Sequence, residues 1–309
     1  MPTLLLTHPA CLEHDMGEGH PECPDRLRAV MAALESEEFM FLHRREAPLA
    51  ERRDLERVHP ADYVDFVLNR VPERGLARLD PDTALSPGSG EAALRAAGAV
   101  CDAVDAVMSG ESRNAFCAIR PPGHHAEAAQ AMGFCFFNNA AVGAVRARNR
   151  HGADRVAIID FDVHHGNGTQ SFADRYADVF YGSSHQSPAY PGTGSSRERG
   201  QYGNICNVEL APGSGTEQFR AAYTETILPR LRDFNPELLI ISAGFDAHAR
   251  DPLCQLRVKT EDFGWLTEEL VKVANDCCDG KVVSTLEGGY DLSALAASAA
   301  VHVRALMHT

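Results

Sequence analysis

Residues 159–168, Ile-Asp-Phe-Asp-Val-His-His-Gly-Asn-Gly, hold the densest chemistry in the chain. An apolar run from Arg155 to Ile159 leads into Asp160 and Asp162, then His164 and His165, then a glycine turn. Side chains two apart on extended backbone point the same way, so Asp160, Asp162 and His164 share a face if the strand persists. A carboxylate and an imidazole ending a buried strand suit a first-row metal ion. Asp246, in Ala243-Gly244-Phe245-Asp246, offers a third ligand. Asp162, His164 and Asp246 would then hold one zinc ion, with positions left for water and a substrate oxygen. Asp160 would support this site rather than ligate. A second metal would want a carboxylate beside Asp246, but the residue two further on is His248.

Two more segments carry polar groups of the right type. His124 and His125 stand in tandem after Pro121-Pro122-Gly123. A histidine pair in a loop is a good candidate for acid–base work near neutral pH. Tyr290 follows Gly288 and Gly289, whose backbone can turn tightly and aim the phenol inward. A phenol there can donate to a developing oxyanion.

These residues need strands to present them. Seven short apolar runs read as buried parallel strands: 3–7, 115–119, 155–161, 179–183, 205–210, 238–243 and 282–286. Helical patterns lie between. Residues 91–109 form one, with Gly110 as its stop. Ser214 and Glu217 have capping-box spacing before a second, in which Pro229 predicts a kink. Thr260-Glu261-Asp262 opens a third with a cap and an acidic first turn, and Gly280 closes it. Strands alternating with helices predict an α/β fold with a mostly parallel sheet covered on both faces. Four of the strands run straight into the chemistry, at Arg120–His125, at Asp160–Gly168, at Gly244–Asp246 and at Glu287–Tyr290. In open α/β sheets, sites lie beyond the carboxyl ends of the strands. No linker or repeat divides the 309 residues, so a single domain is expected. The segment 183–203, rich in Gly, Ser and Pro, reads as a functional surface loop.

Composition narrows the classes. The net charge of −14 argues against general nucleic-acid binding. Nine scattered cysteines without a Cys-x-x-Cys pair read as reduced thiols of a cytoplasmic protein. Leu4–Leu6 is too short a core for a signal peptide, and no run reaches membrane-span length.

Taken together the motifs resemble the histone deacetylase superfamily, and Asp-Val-His-His-Gly-Asn-Gly looks like its class II branch with the bacterial amidohydrolases. The matching pieces are His20–Arg26, Arg120–Ala126, Gly133–Asn139, Asp160–Gln170, Tyr190–Gly194, Ser242–Asp246 and Glu287–Tyr290. The resemblance implies an arginase-like fold and a zinc amidohydrolase that removes acetyl from an amine. It implies zinc on Asp162, His164 and Asp246, with His125 as general base and His124 as electrostatic partner or acid. Asp160 matches the acid that orients His124, and Tyr290 the residue that polarises the acetyl carbonyl. Gly133, Phe134 and Tyr190 match the walls of an acyl-lysine tunnel. Arg26 matches a residue of an internal cavity for acetate exit. A structural potassium ion is implied at main-chain oxygens of Asp160, Asp162 and His164, with Ser183 and Ser184. Bacterial relatives often self-associate, so a homo-oligomer is an expectation too.

Two positions refine this. Asn167 stands where class I relatives carry an acid, so it can orient His125 without stabilising its cation as a carboxylate would. Leu253 stands where polyamine-selective relatives place an acid, which favours acyl-lysine. An acetylpolyamine deacetylase is the alternative enzyme. A degenerate acetyl-lysine binding module would be favoured by loss of Tyr290, a tandem histidine or a ligand, and all of these are present.

Overall fold

The computed structural model describes residues 2–308. Ten strands run in chain order as β1 Leu4–Thr7, β2 His43–Glu46, β3 Ala77–Asp80, β4 Thr83–Leu85, β5 Asn114–Cys117, β6 Val156–Asp160, β7 Val179–Gln186, β8 Ile205–Leu210, β9 Leu238–Ala243 and β10 Val282–Leu286. Eight of them form one sheet in the order β2-β1-β5-β10-β9-β6-β7-β8, and β3 pairs with β4 in a separate hairpin. Every neighbouring pair in the large sheet is parallel. All eight carboxyl ends therefore open on one edge. Going outward, the chain lays down β5, β1, β2 to one side and β6, β7, β8 to the other. The last two strands, β9 and β10, insert between β5 and β6. That insertion makes the four chemistry-bearing strands adjacent at the centre.

The apolar runs become strands because helices cover the sheet. Residues of β5, β6, β9 and β10 are all buried. Helices Ser89–Met108 and Asn139–His151 pack together over β5, β6, β9 and β10, while Thr260–Cys278, Leu292–Met307 and Pro24–Ala33 form a second packed group. This is the parallel sheet with both faces covered that the sequence predicts, and it agrees with the arginase-like fold that the resemblance implies. No helix among the described residues is long and apolar enough to cross a membrane. All nine cysteines are free thiols.

Several local expectations shift. The strand expected at 179–183 continues to Gln186, so the surface loop begins only after it. The cap of the second helix is one residue later than expected: Gln218 Oε1 accepts from Gly215 N, and Glu217 has no such role. At the third, Asp262 Oδ2 accepts from Lys259 N, so Lys259 and not Thr260 is the cap. Pro229 is preceded by a π-helical turn at Ala222–Ile227, the form its expected irregularity takes.

Candidate active site

Ends of β6, β9 and β10 build the metal-ligand cluster. Asp162, His164 and Asp246 are buried, and one ligand atom from each lies within 4.8 Å of the others. His164 Nδ1 faces Asp162 Oδ1 at 3.1 Å and Asp246 Oδ2 at 3.2 Å. Their remaining oxygens are held by backbone. Asp162 Oδ2 accepts from Gly288 N at 2.8 Å, and Asp246 Oδ1 from Val163 N at 2.8 Å. Asp246 Oδ2 is buried, and its contact with His164 Nδ1 is not a well-aligned hydrogen bond. Two buried carboxylates that converge on one imidazole, with one oxygen poorly satisfied, form an environment that suits a cation. Glycines make room for the cluster. A Cβ on Gly244 would stand 2.0 Å from Asp162 Oδ2, and one on Gly288 2.1 Å from Asp246 Oδ2. The donor set, two carboxylates and an imidazole, fits zinc. Burial and the Asp162 charge raise the Asp246 pKa to about 7. Burial opposes a charge on His164, but Asp162 and Asp246 outweigh it and raise its pKa well above the usual range. A metal entering here must displace that proton. His248 points elsewhere, with Nε2 3.2 Å from Thr260 Oγ1.

The tandem histidines meet this cluster from the loop after β5. His124 Nδ1 lies 3.0 Å from Asp160 Oδ2, and its Nε2 is 3.8 Å from Asp162 Oδ2. Tyr181 donates to the same Asp160 oxygen at 3.2 Å. His125 Nδ1 lies 2.8 Å from Asn167 Oδ1, while Asn167 Nδ2 donates to Glu127 Oε1 at 2.7 Å. That second contact fixes the amide with oxygen toward the ring, so Nδ1 is the donor and Nε2 is left as a free base. Burial alone would lower both pKa values. At His124 the charges of Asp162, Asp160 and Glu287 prevail and raise it to about 10. At His125 burial, His124 and His164 push it well below 6.5. A cationic and a neutral histidine thus stand side by side.

Tyr290 completes the floor of a cavity of about 230 Å³, lined by His125, His164, Gly133, Phe134, Tyr190, Leu253 and Asp82 as well. His125 and His164 are buried, while Tyr190 and Leu253 are 41% and 37% exposed, which sets the inner and outer ends. Gly133 and Phe134 both have positive φ, 54° and 69°. Phe134 pays local strain to face the cavity, as residues at functional sites do. Burial keeps the Tyr290 phenol protonated by raising its pKa well above 10. Arg26 does not line this cavity. It lies fully buried behind Tyr290, with its guanidinium 4.9 Å from the ring centroid. Each of its three nitrogens donates one bond, to Gly289 O at 2.6 Å, to Glu22 Oε1 at 2.9 Å and to Glu287 O. That arrangement braces the Tyr290 turn.

Three contributors escape a reading of the sequence. Asp82 lines the cavity from the turn between β3 and β4. Leu253 brings no carboxylate to the cavity, and Asp82 brings one. Asp80-Pro81-Asp82 is recognisable as a turn, but nothing in it points to the cavity. Thr83 Oγ1 accepts from Phe134 N at 3.0 Å and ties that hairpin to the Phe134 wall. His59 holds both ends of the same loop, 3.1 Å from Ala128 O and accepting from Asn138 N at 3.0 Å. The expected potassium residues lie together at the same sheet edge, with Ser183 in register with Asp160. Side chains of Ser183 and Ser184 bond His185 Nδ1 and Tyr223 OH, both at 2.9 Å.

A parallel sheet that gathers a buried Asp–His–Asp cluster and two histidines at its carboxyl edge defines an arginase-like hydrolase. Comparison with known proteins narrows this. The histone deacetylase domain matches residues 20–306. The chain is 41% identical over 278 residues to a histone deacetylase-like amidohydrolase of Pseudomonas aeruginosa, covering 88% of this chain and 73% of that one. A probable deacetylase of Archaeoglobus fulgidus is 37% identical, covering 94% and 82%. The crystal structure of the HDA15 HD domain superposes with a TM-score of 0.94 at 36% identity, covering 99% of this chain and 88% of that one. The chain belongs to the histone deacetylase family.

Proposed function

We propose that the chain acts as one deacetylase domain over residues 1–309, a zinc-dependent amidohydrolase that removes acetyl from lysine side chains of peptides or proteins in the cytoplasm. The buried convergence of Asp162, His164 and Asp246, whose Oδ2 lacks a well-aligned hydrogen bond, carries this reading. Zinc held by those three side chains would supply a Lewis acid for the acetyl carbonyl and lower the pKa of water. Gly133, Phe134 and Tyr190 enclose the acyl-lysine stem. His125, neutral with Nε2 free, takes a proton from the attacking water. Tyr290 donates to the carbonyl oxygen as negative charge develops there. His124, held cationic by Asp160, stabilises the tetrahedral species, and a histidine proton goes to the leaving amine. No nucleophilic side chain is needed. A potassium ion near Asp160, Asp162, His164, Ser183 and Ser184 would be structural. A homo-oligomer fits the same reading.

A small acylated amine is the second reading, and Asp82 favours it. Its carboxylate could meet a second cationic amine beyond the acetyl group. The deciding measurement is kcat/KM for an acetyl-lysine peptide against N8-acetylspermidine, with zinc-loaded, metal-free and Tyr290→Phe enzyme. Peptide turnover lost in both controls is expected; Tyr290→Phe should lower kcat by about 100-fold or more. If acetylspermidine is preferred, Asp82→Asn should raise its KM by up to about fivefold, the worth of an exposed charge pair. Turnover that survives metal removal would refute the zinc reading.

A further inference from the structure

Tyr290 has to place its hydroxyl within hydrogen-bond reach of one oxygen, yet it follows two glycines, and Gly289 has a φ of 125°. Such backbone does not hold a geometry by itself. Arg26 grips one side of the turn through Gly289 O and Glu287 O. The other side is held by Asp251. Its Oδ2 accepts from Tyr290 N at 2.7 Å, and its Oδ1 accepts from Leu253 N at 3.0 Å. The bond to Leu253 is a local turn contact that many aspartates make. The bond to Tyr290 crosses 39 positions of sequence and has no such ordinary explanation. Asp251 N in turn donates to His248 O at 2.9 Å, in the loop that carries Asp246. Asp251 is nearly buried, at 8% exposure, so both bonds are shielded from water.

We propose that Asp251 is a positioning residue: it sets Tyr290 for carbonyl polarisation and registers it against the Leu253 wall and the Asp246 loop. The proposal rests on the deacetylase reading. Only a carboxylate accepts on both oxygens. An amide at 251 would turn an N–H toward one of the two backbone N–H groups, so Asp251→Asn loses one bond and Asp251→Ala loses both.

The test uses an acetyl-lysine peptide and its trifluoroacetyl analogue, whose electron-poor carbonyl depends less on a donor. The zinc-loaded parent, Asp251→Asn, Asp251→Ala, Tyr290→Phe and the Tyr290→Phe/Asp251→Asn double variant are compared. On the acetyl peptide, kcat should fall about 10-fold for Asp251→Asn and about 100-fold for Asp251→Ala, with smaller losses on the trifluoroacetyl peptide. With Tyr290→Phe already in place, Asp251→Asn should change trifluoroacetyl turnover by less than about twofold, because a residue acting through the tyrosine has nothing left to act on. Equal losses on the two peptides, or an undiminished effect in the Tyr290→Phe background, would overturn the proposal. Should Asp251→Ala not fold, the near-isosteric Asp251→Asn decides. A parent that cleaves neither peptide sinks the deacetylase reading and this proposal with it, a result distinct from an active parent indifferent to Asp251.

Discussion

His124 and His125, with ring centroids 4.0 Å apart, are driven to opposite protonation states by what lies behind each. Behind His124 is the carboxylate of Asp160, and behind His125 the amide of Asn167. The same residue type thus serves as cation and as base within one site, the pattern expected of an acid–base pair. Asn167→Asp tests this. A carboxylate at 167 would favour protonated His125, so its pKa should rise by about one unit. A base must be neutral, so the acidic limb of kcat/KM should move to higher pH, and activity at low pH should fall. Asn167 also donates to Glu127, so the new carboxylate would face an existing one. Adding Glu127→Gln should therefore enlarge the shift. An acidic limb that stays put in both variants would mean that Asn167 does not set the basicity of His125.

At the scale of elements, the strand ends and the glycines beside them do the assembling. Gly288 approaches both carboxylates of the cluster, and an added Cβ would stand 2.1 Å from Asp246 Oδ2 and 2.5 Å from Asp162 Oδ2. Gly288→Ala should weaken zinc binding by about 100-fold, the upper range for disturbing groups that orient ligands. Competition with a chelator measures it, and an unchanged affinity would show that the cluster yields easily. The apolar strands β5, β6, β9 and β10 were visible as continuous runs because both their faces are covered, and their polar ends followed directly. β2 was not visible: His43-Arg44-Arg45-Glu46 is polar and sits at the sheet edge, where pairing with β1 alone holds it. The hairpin β3–β4 was missed for a similar reason, since four and three residues give no measurable period. Asp82 went with it. Asp251 stands two residues before Leu253, but its role depends on a bond to Tyr290 across the fold, which spacing along the chain cannot reveal.

For the whole molecule, buried histidines set how stability depends on pH. Burial holds His59 and His185 at about 4, and His165 and His302 at about 3. Unfolded, each would titrate near 6.5. Folded pKa values below the unfolded ones mean that the unfolded chain binds more protons between about pH 4 and 6.5, so stability is complete above that window and falls as pH drops through it. Asp246 and Glu287, both raised to about 7, act in the opposite sense over the same range, because they hold protons in the folded chain that they lose on unfolding. His14, His125 and His248 are lowered as well, and Asp82, Asp160 and Asp251 raised, so the lowered histidines still outnumber the raised carboxyls and leave a net loss toward acid, worth about 1.4 kcal/mol per pH unit for each net proton. His124 works on the alkaline side. Its folded value of about 10 lies above 6.5, so the stability it adds is complete below pH 6.5 and fades as pH rises toward 10. Metal-free protein should therefore be most stable near neutral pH and lose stability in both directions. Urea midpoints of chelator-treated protein at pH 5, 6.5 and 9 would show it, with the highest value at 6.5. His302→Gln, which can keep a bond to Thr267 or Ser284 and cannot be protonated, should flatten the acid side by one proton's slope. A midpoint higher at pH 5 than at 6.5 would mean that the raised carboxyls, not the buried histidines, govern the acid limb.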